Sequence, residues 1–236
     1  MPSKAPSNGT VHLKSPAGEV AGYLAKPKRA AGPGVLVLPA WWGLNDFFKR
    51  FCDRLATKGF VAFALDYYHG ATASTREEAM KLQSEFEERN TAVLRADVLK
   101  SFQGLQLLSN LRGKPLGIVG FSMGVYWGLW LAQERPREVA AVVMFYGNGE
   151  GNLGKSQTAF LGHFAENDEW VPANSVRQLE SSLRANGHDV AMHVYPGTTH
   201  WFFEADRPDA YKANAADLAW ERTAQFLAAH LGRPEP

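Results

Sequence analysis

The run Leu116-Gly117-Ile118-Val119-Gly120-Phe121-Ser122-Met123-Gly124-Val125-Tyr126-Trp127-Gly128 restricts the fold of this chain more than any other stretch. It starts as a short apolar strand, passes through a Gly-x-Ser-x-Gly turn and resumes as the helix-like MGVYWGLWLAQE. Gly120 and Gly124 suit a chain that doubles back on itself, because any side chain there would crowd the turn. A serine at the apex of such a strand–turn–helix stands clear of the backbone. The helix start that follows offers unpaired N–H groups and a positive dipole end to negative charge near that serine. The pentapeptide alone is also the sequence of an ordinary Gly-Ser turn. Its meaning depends on what the rest of the chain supplies.

Val11–Ser15 and Val20–Ala25, separated by a Pro-Ala-Gly-Glu turn signal, predict an N-terminal hairpin. Gly34-Val-Leu-Val-Leu-Pro39 is a continuous apolar run, as expected of a strand covered on both faces. Asn45 or Asp46 can cap a helix reaching Lys58, with Phe47, Phe48, Phe51, Leu55 and Ala56 as its apolar stripe. Strands are expected at Val61–Leu65, Leu116–Val119, Val139–Tyr146, Thr158–Phe164 and Val190–Tyr195. Helices are expected across Ser74–Leu111 (two, broken near Asn90), Pro172–Ala185 and Asp209–Leu231. Strands alternating with helices imply an α/β fold, a mostly parallel sheet of about eight strands with helices on both faces. Ligands bind such sheets at the carboxyl ends of the strands. No linker-like boundary appears, so residues 1–236 read as one domain, with 1–10 and 232–236 as flexible tails.

Three predicted strand ends carry the groups that acyl transfer needs: Ser122, then Asp168, then His200. That order along the chain is the α/β-hydrolase order. A serine needs an imidazole to take its proton, and the imidazole needs a carboxylate to fix its tautomer. Glu166 and Glu169 compete with Asp168 for the acid; Asp168 also fits a turn or capping residue before Pro172, but the chain order favours the acid. His163 and His193 fall in or near strands and read as packed or edge histidines, and His12, His188 and His230 have no triad logic. The oxyanion donors are expected to be the N–H of Met123 and, from the loop after the GVLVLP strand, that of Trp41. Trp42, Tyr67, Tyr68, Phe121, Tyr126 and Trp201 gather at strand ends and suggest an apolar pocket wall, with His69 a further lining candidate.

Composition excludes several other classes. A net charge of +1 gives no electrostatic case for nucleic acid or an anionic membrane. The single cysteine, Cys52, cannot form an internal disulfide and reads as a buried thiol. Neither His-Glu-x-x-His nor Cys-x-x-Cys occurs, nor a Walker or dinucleotide glycine motif, so no metal and no cofactor are expected. The polar N-terminus lacks a signal-like apolar region and no run is long enough to span a bilayer, so a cytoplasmic protein is expected.

LPAWWGLND, GFSMG, HFAENDEWVP, YPGTTHWFFEADRP and AADLAWERTAQFL together resemble the dienelactone hydrolase (carboxymethylenebutenolidase-like) family of α/β-hydrolases across nearly the whole chain. The resemblance implies a compact hydrolase without a large cap domain, acting on small esters or lactones. The chain departs from the best-known members at three points. Their nucleophile is cysteine, here Ser122. Their glutamate in the loop before the tryptophans falls on Ala40. Their two carboxylate-binding arginines fall on Gly70 and Glu204, with Arg207 close by as a substitute. An ionised Glu204 near the pocket would repel an acidic substrate.

Two enzyme readings and one non-enzyme reading follow. The first is a serine esterase of small esters or lactones, with peptide and thioester cleavage sharing the same triad. The second is a true dienelactone hydrolase. The third, a non-catalytic hydrolase-like binding protein, is weakened by the filled triad positions. The substrate is a small molecule in either enzyme reading, and the sequence leaves the oligomeric state open.

Overall fold

The computed structural model describes residues 8–28, 32–87, 91–108, 111–149, 153–154 and 156–232. Among them lie the strands β1 (Gly9–Ser15), β2 (Gly18–Ala25), β3 (Gly34–Leu38), β4 (Val61–Leu65), β5 (Leu116–Phe121), β6 (Val139–Phe145), β7 (Ala159–Asn167) and β8 (Val190–Thr199). The helices are α1 (Asp46–Thr57), α2 (Arg76–Glu87), α3 (Thr91–Gln106), α4 (Met123–Glu134), α5 (Ala173–Ala185) and α6 (Ala213–Leu231). The eight strands form one sheet in the order β1-β2-β4-β3-β5-β6-β7-β8. The β1–β2 hairpin joins antiparallel to β4, and every pair from β4 to β8 is parallel. β1 begins at Gly9, so the last two residues of the expected N-terminal tail belong to the sheet. Residues 1–7 and 233–236, and the expected helix break at Asn90, lie outside the described residues.

The apolar strands explain the layering. Successive side chains point to opposite faces. Val35 and Val37 pack with α1 and α6, through Phe48, Phe51, Leu55, Trp220 and Leu227. Leu36 and Leu38 pack with α3 and α4, through Val98, Phe102, Leu105, Leu129 and Leu131. Every residue of β3, β4 and β5 is buried, as covering on both faces requires. Asn45 is the cap of α1: its side-chain oxygen accepts from the N–H groups of Phe47 and Phe48 at 3.0 and 3.3 Å. No helix among the described residues is long and apolar enough to cross a membrane.

β3 has β4 on one side and β5 on the other, so the chain direction across the sheet reverses at β3. A crevice opens at the carboxyl ends of strands where the order reverses in this way. Two strands outlast their expected ends there. β7 continues to Asn167 and β8 to Thr199, and the two residues pair across a bulge after Ala165. Pro196 is tolerated within β8 because β8 is an edge strand. α6 starts at Ala213 rather than Asp209, because residues 207–211 form a turn in which Ala210 and Tyr211 both donate to the Arg207 carbonyl.

The elbow between β5 and α4 fits without slack. A Cβ on Gly120 would lie 2.7 Å from the Gly124 carbonyl oxygen, and one on Gly124 would collide with the Leu38 carbonyl oxygen. Gly124→Ala is therefore expected to cost about 1–3 kcal/mol of stability, as overpacking does. Urea unfolding checks this; a midpoint equal to the wild type's would mean the elbow has room to spare.

Candidate active site

Ser122 occupies the single-residue junction between β5 and α4, with φ 49° and ψ −114°. This left-handed φ strains a non-glycine residue by about 1–3 kcal/mol unless the surroundings over-determine it. They do so here. The Ser122 N–H donates to the Phe145 carbonyl of β6 at 2.9 Å, and the Val125 N–H donates to the Ser122 carbonyl at 2.9 Å. Ser122 and Met123 both remain partly exposed. Met123 is the first residue of α4, so its N–H has no acceptor within the helix.

The Ser122 hydroxyl lies 2.9 Å from His200 Nε2. His200 Nδ1 lies 2.8 Å from Asp168 Oδ2 and 2.9 Å from Oδ1. The His200 and Asp168 side chains are 3% and 2% exposed, so the pair is screened from water. Asp168 Oδ1 also accepts the N–H groups of Trp170 and Val171, each at 2.9 Å, which fixes the carboxylate within its own loop. An imidazole whose Nδ1–H donates to Asp168 presents the lone pair of Nε2 to the serine hydroxyl. The Asn167–Thr199 pairing explains the meeting: residues 168 and 200 each follow one member of a paired position.

The competing groups have other partners. Glu166 accepts the Gly197 N–H at 2.8 Å, and Glu169 pairs with Arg76 at 2.9 Å. His163 is wholly buried, between the Tyr195 hydroxyl at 2.8 Å and Thr223 Oγ1 at 3.0 Å. Burial holds its imidazole well below the ordinary histidine range.

A cavity of about 570 Å³ opens beside His200, walled by Trp42, Trp201, Arg76, Glu169 and Arg207 among others; Ser122 is not part of its lining. Trp41 stacks on Trp201 at 6.0 Å and meets Trp42 edge-on at 5.3 Å. Of the expected lining residues, Trp42, Trp201 and Arg207 stand at this cavity. Phe121 does not: its side chain points into the core among Phe51, Phe145 and Phe203. Tyr67 and Tyr68 are buried in the packing on the α3–α4 face, and His69 is exposed beside the left-handed Gly70; these three also lie off the cavity.

Arg207 is held in place. Its guanidinium lies 3.7 Å from the centre of the Trp42 ring and donates to the carbonyls of Ser74 and Ala73 at 2.8 and 3.3 Å. Glu204 corrects the expectation of a repelling carboxylate. It is fully buried and not part of the cavity lining. Desolvation raises its carboxyl to about 8, so its neutral form dominates at pH 7.

Three residues of the site escaped the sequence reading. Trp170, 47% exposed, packs edge-on against Trp41 at 5.3 Å and lies 6.3 Å from His200. Its place two residues after Asp168 was the available signal. Arg76 lies 5.0 Å above Trp201 and closes the rim with Glu169, and Tyr146 packs against His200 at 5.0 Å.

A mostly parallel sheet with a serine elbow after β5, an aspartate after β7 and a histidine after β8 defines an α/β-hydrolase. A solved structure of similar shape agrees. A dienelactone hydrolase-like promiscuous phosphotriesterase from metagenomic libraries superposes with a TM-score of 0.81, covering 96% of this chain and 100% of that one. At 21% identity, that likeness speaks to fold alone. The chain belongs to the dienelactone hydrolase family, whose model matches residues 20–231, and it is thereby a hydrolase of ester or lactone bonds. It is 34% identical over 219 residues to protein usf of Aquifex pyrophilus, covering 90% of this chain and 94% of that one. It is 28% identical over 223 residues to a Bradyrhizobium protein named "Probable 2-oxo-3-(5-oxofuran-2-ylidene)propanoate lactonase", covering 89% of each.

The clamp on Arg207 yields a test. Arg207→Lys keeps the charge but loses the planar stack and the forked donors. It is expected to lower stability by about 1–3 kcal/mol. Thermal unfolding measures this, and an unshifted transition would mean that the guanidinium is not anchored.

Proposed function

We propose that this protein is a serine hydrolase that cleaves small esters or lactones through Ser122, His200 and Asp168, by way of an acyl-enzyme. The observation that carries the reading is the unbroken hydrogen-bonded chain from the Ser122 hydroxyl through the imidazole to Asp168. Ser122 Oγ attacks the acyl carbon as its proton passes to His200 Nε2. The N–H of Met123, at the positive end of α4, and that of Trp41 receive the carbonyl oxygen as it becomes negative. His200 then returns the proton to the departing alkoxide, which in a lactone stays tethered to the acyl group. A water activated by the same imidazole frees Ser122.

Charge and shape at the cavity favour neutral substrates. Arg76 and Arg207 already face Glu169 and Asp206 at 2.9 and 3.8 Å, and Asp209 adds a further carboxylate to the lining. Trp42 and Trp201 supply apolar wall for an acyl or aryl group. A carboxylated lactone is the second reading. It is favoured by the name of the Bradyrhizobium relative and by Arg76, whose side chain is 53% exposed, lies over Trp201 and is held by a surface ion pair with Glu169. Such pairs contribute about 0–1 kcal/mol and are readily exchanged for a substrate anion.

Ser122→Ala is expected to abolish turnover and labelling by a fluorophosphonate probe; undiminished labelling of that variant would sink the nucleophile. Asp168→Asn should fold normally yet lose on the order of 10⁴ in turnover through the wrong imidazole tautomer. The same loss from Glu169→Gln instead would move the acid.

Comparison of kcat/KM for a neutral short-chain ester and a carboxylated dienelactone separates the two substrate readings. The neutral ester is expected to win. A dienelactone advantage of about tenfold, equivalent to about 1.4 kcal/mol, that disappears in Arg76→Gln would establish the second reading.

A further inference from the structure

Glu204 takes no part in the chemistry above, yet its carboxyl is wholly buried four residues after His200. It closes the turn that begins at Trp201, its own N–H donating to the Trp201 carbonyl at 2.9 Å. Oε1 accepts the Tyr146 hydroxyl at 2.7 Å, while Oε2 has no hydrogen-bond partner among the described residues. Tyr146 follows β6 directly in a left-handed conformation, φ 36°, with its N–H on the His163 carbonyl at 2.8 Å. Its ring packs edge-on against the His200 imidazole at 5.0 Å and against Phe202 at 5.7 Å. Trp201 meets the same imidazole at 4.7 Å. The imidazole is therefore fixed at its two nitrogens by Ser122 and Asp168, and against its ring by Tyr146 and Trp201.

We propose that Glu204 and Tyr146 are positioning residues for His200: the buried carboxyl holds the Tyr146 hydroxyl, and the Tyr146 ring thereby seats the imidazole between Ser122 and Asp168. This rests on His200 being the base, as read above. The two residues act through the imidazole, and neither lines the cavity, so their effect belongs in kcat and not in KM.

The charge state of Glu204 supplies a signature that a merely structural carboxyl would lack. The groups around it are Tyr146 after β6, Asp206 and Arg207 on its own turn, and Asp168 on the loop after β7, which acts on Tyr146. Desolvation dominates and, with the charge of Asp206, outweighs the Tyr146 bond and Arg207, raising the carboxyl to about 8. Below that pH the group is neutral and the packing is as described. Above it, a buried anion with one oxygen unpartnered must draw in water or move, and the support of the imidazole loosens. The sign follows: kcat is full below the raised pKa and falls as the pH rises through it.

The test measures kcat and KM on a neutral short-chain ester by pH-stat titration, from about pH 5.5 to 10, for wild type, Glu204→Gln, Tyr146→Phe and His200→Ala. Wild type should lose kcat on the alkaline side. Glu204→Gln keeps an uncharged acceptor for Tyr146; it should retain neutral-pH kcat within about threefold and lose the alkaline fall. Tyr146→Phe should lower kcat about tenfold at unchanged KM, the scale of a small misplacement of a catalytic group. An alkaline fall that persists in Glu204→Gln, full kcat in Tyr146→Phe, or losses expressed in KM would each overturn the proposal. Should Glu204→Gln fail to fold, Tyr146→Phe, which removes one oxygen atom, decides alone. A fully active His200→Ala would instead overturn the reading of the base. An inactive His200→Ala beside an unaltered Glu204→Gln profile would defeat the positioning proposal and leave the base intact.

Discussion

The first turn of α4 lies against the carboxyl end of β3, with no room for a side chain between them. Gly124 makes that approach, and Gly120 and Gly147 make two more: a Cβ on Gly147 would collide with the Ser122 carbonyl oxygen. These contacts, with the hydrogen bond from the Ser122 N–H to the Phe145 carbonyl, tie the elbow to β3 and β6 at once. A left-handed serine is a costly conformation, and packing on both sides is what makes it the stable one. The arrangement that strains the backbone also lifts the hydroxyl toward His200 and leaves the Met123 N–H free of helical partners. Backbone strain, helix dipole and raised hydroxyl meet at a single close approach.

The part of this that depends on local rules was legible in the sequence. The apolar run of β3 read as a strand covered on both faces, those of β4 and β5 read as strands, and the Gly-x-Ser-x-Gly turn read as the junction it is. The order of Ser122, Asp168 and His200 named three residues that the fold then brings within hydrogen-bonding distance. What the sequence hid was mostly register. Pro196 and Gly197 look like the end of a strand, and only the pairing of Asn167 with Thr199 shows that β8 runs past them. That pairing aligns Asp168 with His200, and no local propensity predicts it.

Aromatic residues were the least legible, because one residue type serves two environments. Phe121 and Trp42 both stand at strand ends. The strand's alternation turns Phe121 into the core, whereas Trp42, beyond β3, is free to face the crevice and is covered there by Arg207. Tyr67 and Tyr68 follow β4, one strand further from the elbow, and their rings fill the face covered by α3. Glu204 was misread for a similar reason. Its place in the chain put it near the site, but its direction depends on a turn whose side chain finds Tyr146 beneath the imidazole. A charged residue read from sequence is by default solvated; only burial reveals a carboxyl stored in its neutral form.

Ser122, Asp168 and His200 are held by three different forces, and this separates their placement from the make-up of the cavity wall. Steric exclusion by glycines fixes Ser122. Backbone donors from Trp170 and Val171 fix Asp168. Ring packing by Tyr146 and Trp201 fixes His200 between them. Little of that support comes from the side chains that wall the cavity. Arg76 and Glu169 meet across its rim as exposed groups, and an exposed ion pair contributes little to stability. Replacing them would recolour the cavity without moving Ser122, His200 or Asp168. Trp201 is the exception, because it both lines the cavity and packs against the imidazole. The cavity wall on this scaffold is therefore free to vary along the rim formed by α2 and the loop after β7, and is constrained along the loop after β8, where a change of wall is also a change in the seat of His200.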